Sequence, residues 1–96
     1  MFMIFDKKKP LFTISVAAEM LECHPRTLRI YEEEGLVHPY RRNNIRYYSQ
    51  DDIESIKRIC ELMDELSINL SGVRALFKAA SKFHIRIERM IDEMLE

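Results

Sequence analysis

Arg26, Arg29, Arg41, Arg42 and Arg46 all fall within positions 24–46, and the only acids among them are the adjacent Glu32, Glu33 and Glu34. A guanidinium is a planar fork of N–H donors that pairs bidentately with guanine O6 and N7 or with a phosphate. Thr27, between the first two arginines, can meet a thymine methyl or a phosphate. Asn43 and Asn44 stand directly after Arg42. This is contact chemistry rather than bond-breaking chemistry. No nucleophile is paired with a base, and there is no Gly-rich phosphate loop. Asp51 and Asp52 are explained by the helix start they occupy, where the backbone dipole favours acids. An enzyme is therefore not expected, and neither is a cofactor.

Elements that could position these arginines can be read around them. Ser15 can cap a short helix whose stripe is Val16, Ala17, Met20 and Leu21, ending near Glu22. His24-Pro25 opens a second helix, because proline lacks the N–H that would go unused at the first helical position. Leu28 and Tyr31 face inward from it, and Gly35 is placed to end it. Two short helices joined by about three residues are the geometry of a helix-turn-helix. Arg26, Thr27 and Arg29 then point outward near the start of the second helix, where major-groove readers carry such side chains. The helix N-terminus is expected to add backbone donors for a phosphate.

Residues 36–48 change character. Val37, Tyr40, Ile45, Tyr47 and Tyr48 favour strands, and Arg42-Asn43-Asn44 is a turn signal, since asparagine tolerates positive φ. A two-stranded ribbon results, with Arg41, Arg42, Arg46 and Asn43 set to grip phosphates and Tyr48 beneath it. Ser49-Gln50-Asp51-Asp52 has the form of a capping box. The helix after it runs to about Leu66, with Ile53, Ile56, Ile59, Cys60, Met63 and Leu66 on one face. Ser71 can cap a fourth helix, with Val73, Leu76, Phe77 and Ala80 inward.

Leu76, Ala80, Phe83, Ile87, Met90 and Met94 are separated by alternating fours and threes, the spacing of a coiled-coil seam, and Ile91 and Leu95 widen it. A seam beyond a compact domain implies a second copy, so Phe83, Ile87, Met90, Ile91 and Met94 are expected at a homodimer contact. The alternative is a helix folded back on its own domain. The domain reading is a flexible segment over 1–11, a DNA-binding domain over 12–80 and a dimerisation helix over 81–96. Lys7-Lys8-Lys9 in the first of these reads as a solvated stretch.

Composition bounds the rest. Of 96 residues, 47% are apolar and 32% charged, as in an ordinary globular domain. The net charge of -1 hides an asymmetry, because residues 1–46 carry eight Lys/Arg against six Asp/Glu, and residues 47–96 seven against ten. Basic residues gathered on one face matter more for nucleic acid than the total. Cys23 and Cys60 are isolated and read as buried, reduced thiols. Met1 to Phe5 is too short for a leader, and no apolar run approaches the roughly 20 residues of a membrane span. A cytoplasmic protein without a membrane partner is expected.

Thr27-Leu28-Arg29-Ile30-Tyr31-Glu32-Glu33-Glu34-Gly35-Leu36, then Pro39-x-Arg41 and Arg46-x-Tyr48-Ser49, resembles the signature of the MerR family of transcription regulators over about residues 12–80. Ile14-Ser15-Val16-Ala17-Ala18 and His24-Pro25-x-Thr27-Leu28-Arg29 are similar to its heat-shock repressor (HspR) branch. The resemblance implies a mostly α, winged helix-turn-helix fold with a short two-stranded wing and a C-terminal dimerisation helix. It implies a dimer on an inverted-repeat operator in double-stranded DNA. The family's contact positions correspond to Arg26, Thr27, Arg29, Tyr31, Arg41 and Arg46. For the branch it implies repression of chaperone genes, with a DnaK-type chaperone as co-repressor. The chain departs from the pattern with Asn44 where the family carries glycine, with Ile30 in place of an aromatic, and with only about 16 residues after Ala80.

Two other functions stay open. A metal or redox sensor would need clustered thiolates or imidazoles, and Cys60, His84 and Cys23 are the candidates, far apart in sequence. An excisionase-like interaction module would use the same fold as an architectural piece and would lack the seam.

Overall fold

The computed structural model describes residues 6–82 and 86–95, apart from the side chains of Ile87 and Glu88. The chain divides into two compact units, Met1–Ser55 and Ile56–Glu96. Its elements are β1 (Phe12–Thr13), α1 (Ile14–Met20), α2 (Pro25–Glu33), β2 (Tyr40–Arg42), β3 (Ile45–Tyr48), α3 (Gln50–Leu66), α4 (Leu70–Lys82) and α5 (Ile87–Leu95). The mostly helical expectation holds.

In the first unit α1 packs on α2 through Ala17 and Ala18, both buried, against a core that includes Leu28, Tyr31, Leu36 and Val37. Small alanines allow that close approach. The cap of α1 is Thr13, whose Oγ1 accepts from Val16 N–H at 3.4 Å, and not Ser15, which is exposed. The inward residues are Ala17 and Ala18, whereas Val16 and Met20 lie exposed. Half of the expected stripe, Ala17 and Leu21, therefore faces inward, and Ala18 joins it. Cys23 N–H donates to Ala18 O and Glu22 N–H to Glu19 O, closing α1 with Glu22 at φ 54. Leu36 N–H to Tyr31 O and Gly35 N–H to Glu32 O close α2 in the same way, with Gly35 at φ 75. Both are Schellman closures, which place one residue in the left-handed region.

The hairpin pairs Tyr40 with Tyr47, Arg41 with Arg46 and Arg42 with Ile45. Asn43 (φ 51) and Asn44 (φ 65) form its two-residue turn, so Asn44 adopts the conformation for which glycine is usual. A third strand was not foreseen. β1 pairs antiparallel with β3, giving the order β1-β3-β2. Residues ahead of it are tied down as well: Leu11 N–H donates to Tyr48 O at 3.1 Å, and Asp51 N–H to Lys7 O at 3.0 Å. The expected capping box is present in both directions, Asp52 N–H to Ser49 Oγ at 3.0 Å and Ser49 N–H to Asp52 Oδ2 at 2.9 Å.

In the second unit Ile56, Ile59, Leu62, Val73, Ala80 and Ile91 are buried. The inward face of α3 is thus Ile53, Ile56, Ile59 and Leu62, at steps of three, while Cys60 and Leu66 are exposed. The expectation of two buried thiols fails, since Cys23 is half-buried and Cys60 exposed. Asn69 caps α4, accepting from Gly72 N–H at 3.0 Å, where Ser71 was expected. α4 ends at Lys82 and α5 begins at Ile87, with Arg86 outside any helix, so the seam spacing does not lie on one continuous helix. α5 packs on α4, and Ile91 is 4% exposed within its own chain. Met90 and Met94 are half-buried. Phe83 and His84 lie outside the described residues.

Candidate DNA interface

The site is built on the first unit alone. Helix α2 starts on His24, whose Nδ1 accepts from Arg26 N–H at 3.0 Å, and Thr27 N–H donates to His24 O at 2.9 Å. Pro25 contributes no donor. The helix start therefore satisfies its own first N–H groups, and the expected backbone donors for a phosphate are already in use. What α2 offers outward is side chains: Arg26 and Arg29 are exposed and Thr27 half-buried. Tyr31, a family contact position by resemblance, is 6% exposed and serves the core.

The wing divides by face. Side chains alternate along a strand, so Arg41 and Arg46, directly opposite one another, share one face, while Tyr40, Arg42, Ile45 and Tyr47 share the other. Two like charges in that position repel. Glu32, from α2, resolves the repulsion. Arg41 Nε donates to Glu32 Oε2 at 3.2 Å and Arg41 Nη2 to Glu32 Oε1 at 3.1 Å, while Arg46 Nε donates to Oε1 at 2.5 Å. One carboxylate therefore fastens the recognition helix to both strands of the wing. Burial pushes the Glu32 carboxyl upward, but the hydrogen bonds and charges of Arg46 and Arg41 outweigh it and hold the group below its usual value. Beside it, burial lifts the Tyr48 phenol to about 12, with the Glu32 charge adding to the effect and Arg46 opposing it. The Tyr48 hydroxyl has no hydrogen-bond partner among the described residues.

The sequence thus placed Arg26, Thr27 and Arg29 on one helix and Arg41, Arg42, Asn43 and Arg46 on one hairpin, and the structure brings both sets into one unit. It also changes their standing. Arg46 is half-buried and paired rather than free, Arg41 is paired along one edge, and Arg42 and Asn43 are exposed at the tip. Among the described residues no ion pair is formed by Arg26, Arg29 or Arg42. Glu32 was missed. Its one signal was an acidic run set between two groups of arginines. Among the described residues no three His, Cys, Asp or Glu side chains gather as a metal site would require.

An exposed arginine pair on the second helix of a helix-turn-helix, followed by an arginine-bearing wing, defines a winged helix-turn-helix protein. Residues 12–80 match the profile of the MerR HTH family regulatory protein. The chain belongs to the MerR family. It is 40% identical over 70 residues, 72% of its length, to a protein described as the heat shock protein HspR of Streptomyces coelicolor. It is 32% identical over 69 residues, 71% of its length, to the HTH-type transcriptional regulator GlnR of Bacillus cereus. With the HTH-type transcriptional regulator ZntR homolog of Haemophilus influenzae it shares 30% identity over 88 residues, 86% of its length. These matches cover 46%, 53% and 64% of the respective relatives, so the chain spans about half the length of the proteins it resembles. The expectation of a regulator rather than an enzyme agrees with the family. Among the described residues no helix is long and apolar enough to cross a membrane.

Proposed function

We propose that this chain binds double-stranded DNA sequence-specifically as a homodimer, represses chaperone genes from an inverted-repeat operator and acts in the cytoplasm. The observation that carries the reading is the placement of Arg26 and Arg29 on α2 in the same unit as the arginine wing. Arg26, Thr27 and Arg29 read base edges in the major groove, and Arg41, Arg42 and Asn43 hold flanking phosphates. Tyr31 and Arg46 support these groups from beneath. The likeness to the Streptomyces coelicolor protein supports the heat-shock assignment, and a DnaK-type chaperone as co-repressor is what the resemblance to the heat-shock repressor branch implies. Dimerisation rests on the family and on the apolar residues Phe83, Ile87, Met90 and Met94. Ile87→Asp is expected to give a monomer by light scattering, and a dimer that persists would place the contact elsewhere.

The deciding experiment is selection of bound duplexes from a random pool at ~150 mM salt, followed by affinity for the winner and for its scrambled sequence. An inverted repeat held ~10³-fold or more above scrambled DNA establishes the reading. No enriched sequence, with binding that disappears as salt rises, would leave general electrostatic attraction and favour an interaction module instead.

A further inference from the structure

We propose that Glu32 is a positioning residue for DNA recognition: by holding one edge of Arg41 and the Nε of Arg46, it fixes the wing on α2 and turns the other edge of Arg41 toward a backbone phosphate. The proposal rests on the DNA-binding reading and adds to it the residue that sets the geometry of contact.

Three observations carry it. First, the donors are only partly spent. A guanidinium has five N–H groups, and Arg41 uses Nε and Nη2 on Glu32, which leaves both N–H groups of Nη1. Second, exposure is graded across the cluster. Glu32 and Arg46 side chains are 18% and 21% exposed, while Arg41 is 47% exposed. The carboxylate and Arg46 form the shielded base, and Arg41 is the group that reaches solvent. Third, Arg41 and Arg46 are register partners on adjacent strands, so without Glu32 their charges would push the hairpin strands apart. An arginine held in advance loses less conformational freedom on binding than one that must be ordered by the phosphate itself.

A competing account treats Glu32 as a stand-in for phosphate that must be displaced before DNA can bind. The two accounts differ in sign. Removing a negative charge beside a polyanion strengthens binding to every sequence if Glu32 merely competes. If Glu32 positions Arg41, the same change weakens binding to the selected duplex while binding to scrambled DNA holds or rises.

The test compares wild-type chain with Glu32→Gln on the selected duplex and on a scrambled duplex of equal length, across a salt series. The expected result is about a tenfold fall in the ratio of selected to scrambled affinity, the loss of one oriented charge-assisted contact. Glu32→Gln in an Arg41→Ala background should then cause a much smaller fall than in wild type, because most of the effect passes through Arg41 and only the Arg46 contact remains to be lost. Arg41→Lys leaves every charge in place and cannot fork between a carboxylate and a phosphate, so it should lose the same ratio even if Glu32→Gln folds poorly. A parallel rise on both duplexes, an unchanged ratio, or an additive double variant overturns the proposal while leaving sequence-specific binding intact. A wild-type chain that fails to distinguish the two duplexes overturns the DNA reading and this inference together.

Discussion

Both units carry ion pairs, but they are built differently. In Met1–Ser55, beside one exposed pair of Lys7 with Glu54, a single shielded carboxylate serves two arginines that lie side by side on a hairpin. In Ile56–Glu96 Arg58 pairs with Asp92 and Arg89 with Glu93, each one to one, with every partner at least 42% exposed. Exposed pairs of that kind contribute little, because water and salt screen them and two long side chains must be immobilised. The second unit must therefore be held by its apolar residues. In the first unit polar contacts are spent on orienting surface groups: His24 on the start of α2, the asparagine turn on the wing, Glu32 between them. A region that folds by burial tolerates loose polar geometry, whereas a region that must present arginines does not.

The largest test of that contrast is Leu62→Ala. Leu62 is fully buried, and deleting its side chain should cost about 2–5 kcal/mol by urea unfolding, through lost burial and a residual cavity. A cost under about 1 kcal/mol would mean that apolar packing does not hold the second unit. Next is Arg29→Ala, expected to weaken specific DNA binding by ~1–3 kcal/mol and to relax preference at one base pair per half-site. Equal loss on selected and random DNA would move Arg29 from base reading to backbone contact.

These two residues also mark how much was legible in advance. Arg29 was visible because its signals are local: His-Pro opens the helix, Gly35 ends it, and the outward face follows from helical periodicity. Ser49-x-x-Asp52 and the paired asparagines were legible for the same reason, each being a short motif that makes its own hydrogen bonds. Leu62 was not singled out, since the inward face of α3 was read as passing through Cys60 and Leu66, and a helix of mixed apolar residues permits either stripe until its neighbours choose. β1 escaped notice because two residues have no periodicity, and its existence depends on pairing with β3 some 35 positions away. The caps of α1 and α4 were misplaced by two positions because Thr13 and Ser15, or Asn69 and Ser71, are equally good acceptors. Glu32 has no local signal beyond its place in an acidic run, because its partners lie nine and 14 positions further on.

A smaller effect sharpens the polar side of the comparison. Ser49→Ala removes the acceptor for Asp52 N–H and should cost about 1 kcal/mol of stability, with no change in the operator preferred. A change in sequence preference would mean that the capping box also orients the reading surface. Acidification probes the Glu32 cluster itself. The folded carboxyl titrates below its usual value, so its contribution is complete above the ordinary carboxylate range and is lost as pH falls through the depressed one. Thermal midpoints of wild type and Glu32→Gln should therefore converge as pH falls from neutrality through and below the ordinary carboxylate range. A gap that stays constant would show that shape, not charge, holds the wing.

The smallest expected effect belongs to the second unit. Asp92→Asn removes the charge that meets Arg58 while keeping the side chain's size. Arg58 and Asp92 are 42% and 60% exposed, so water replaces the pairing at little loss, and stability should change by less than about 1 kcal/mol. The same substitution type at Glu32 leaves Arg41 and Arg46 facing each other with no counter-charge, which water relieves only in part because Arg46 is 21% exposed, although Arg41 is 47% exposed. Run side by side under one unfolding protocol, Asp92→Asn and Glu32→Gln compare charge removal in an open pair with charge removal in a shielded one. A loss at Asp92 equal to or above that at Glu32 would mean that α5 is fastened by its ion pair rather than by Ile91, and the division of labour between the two units would not hold.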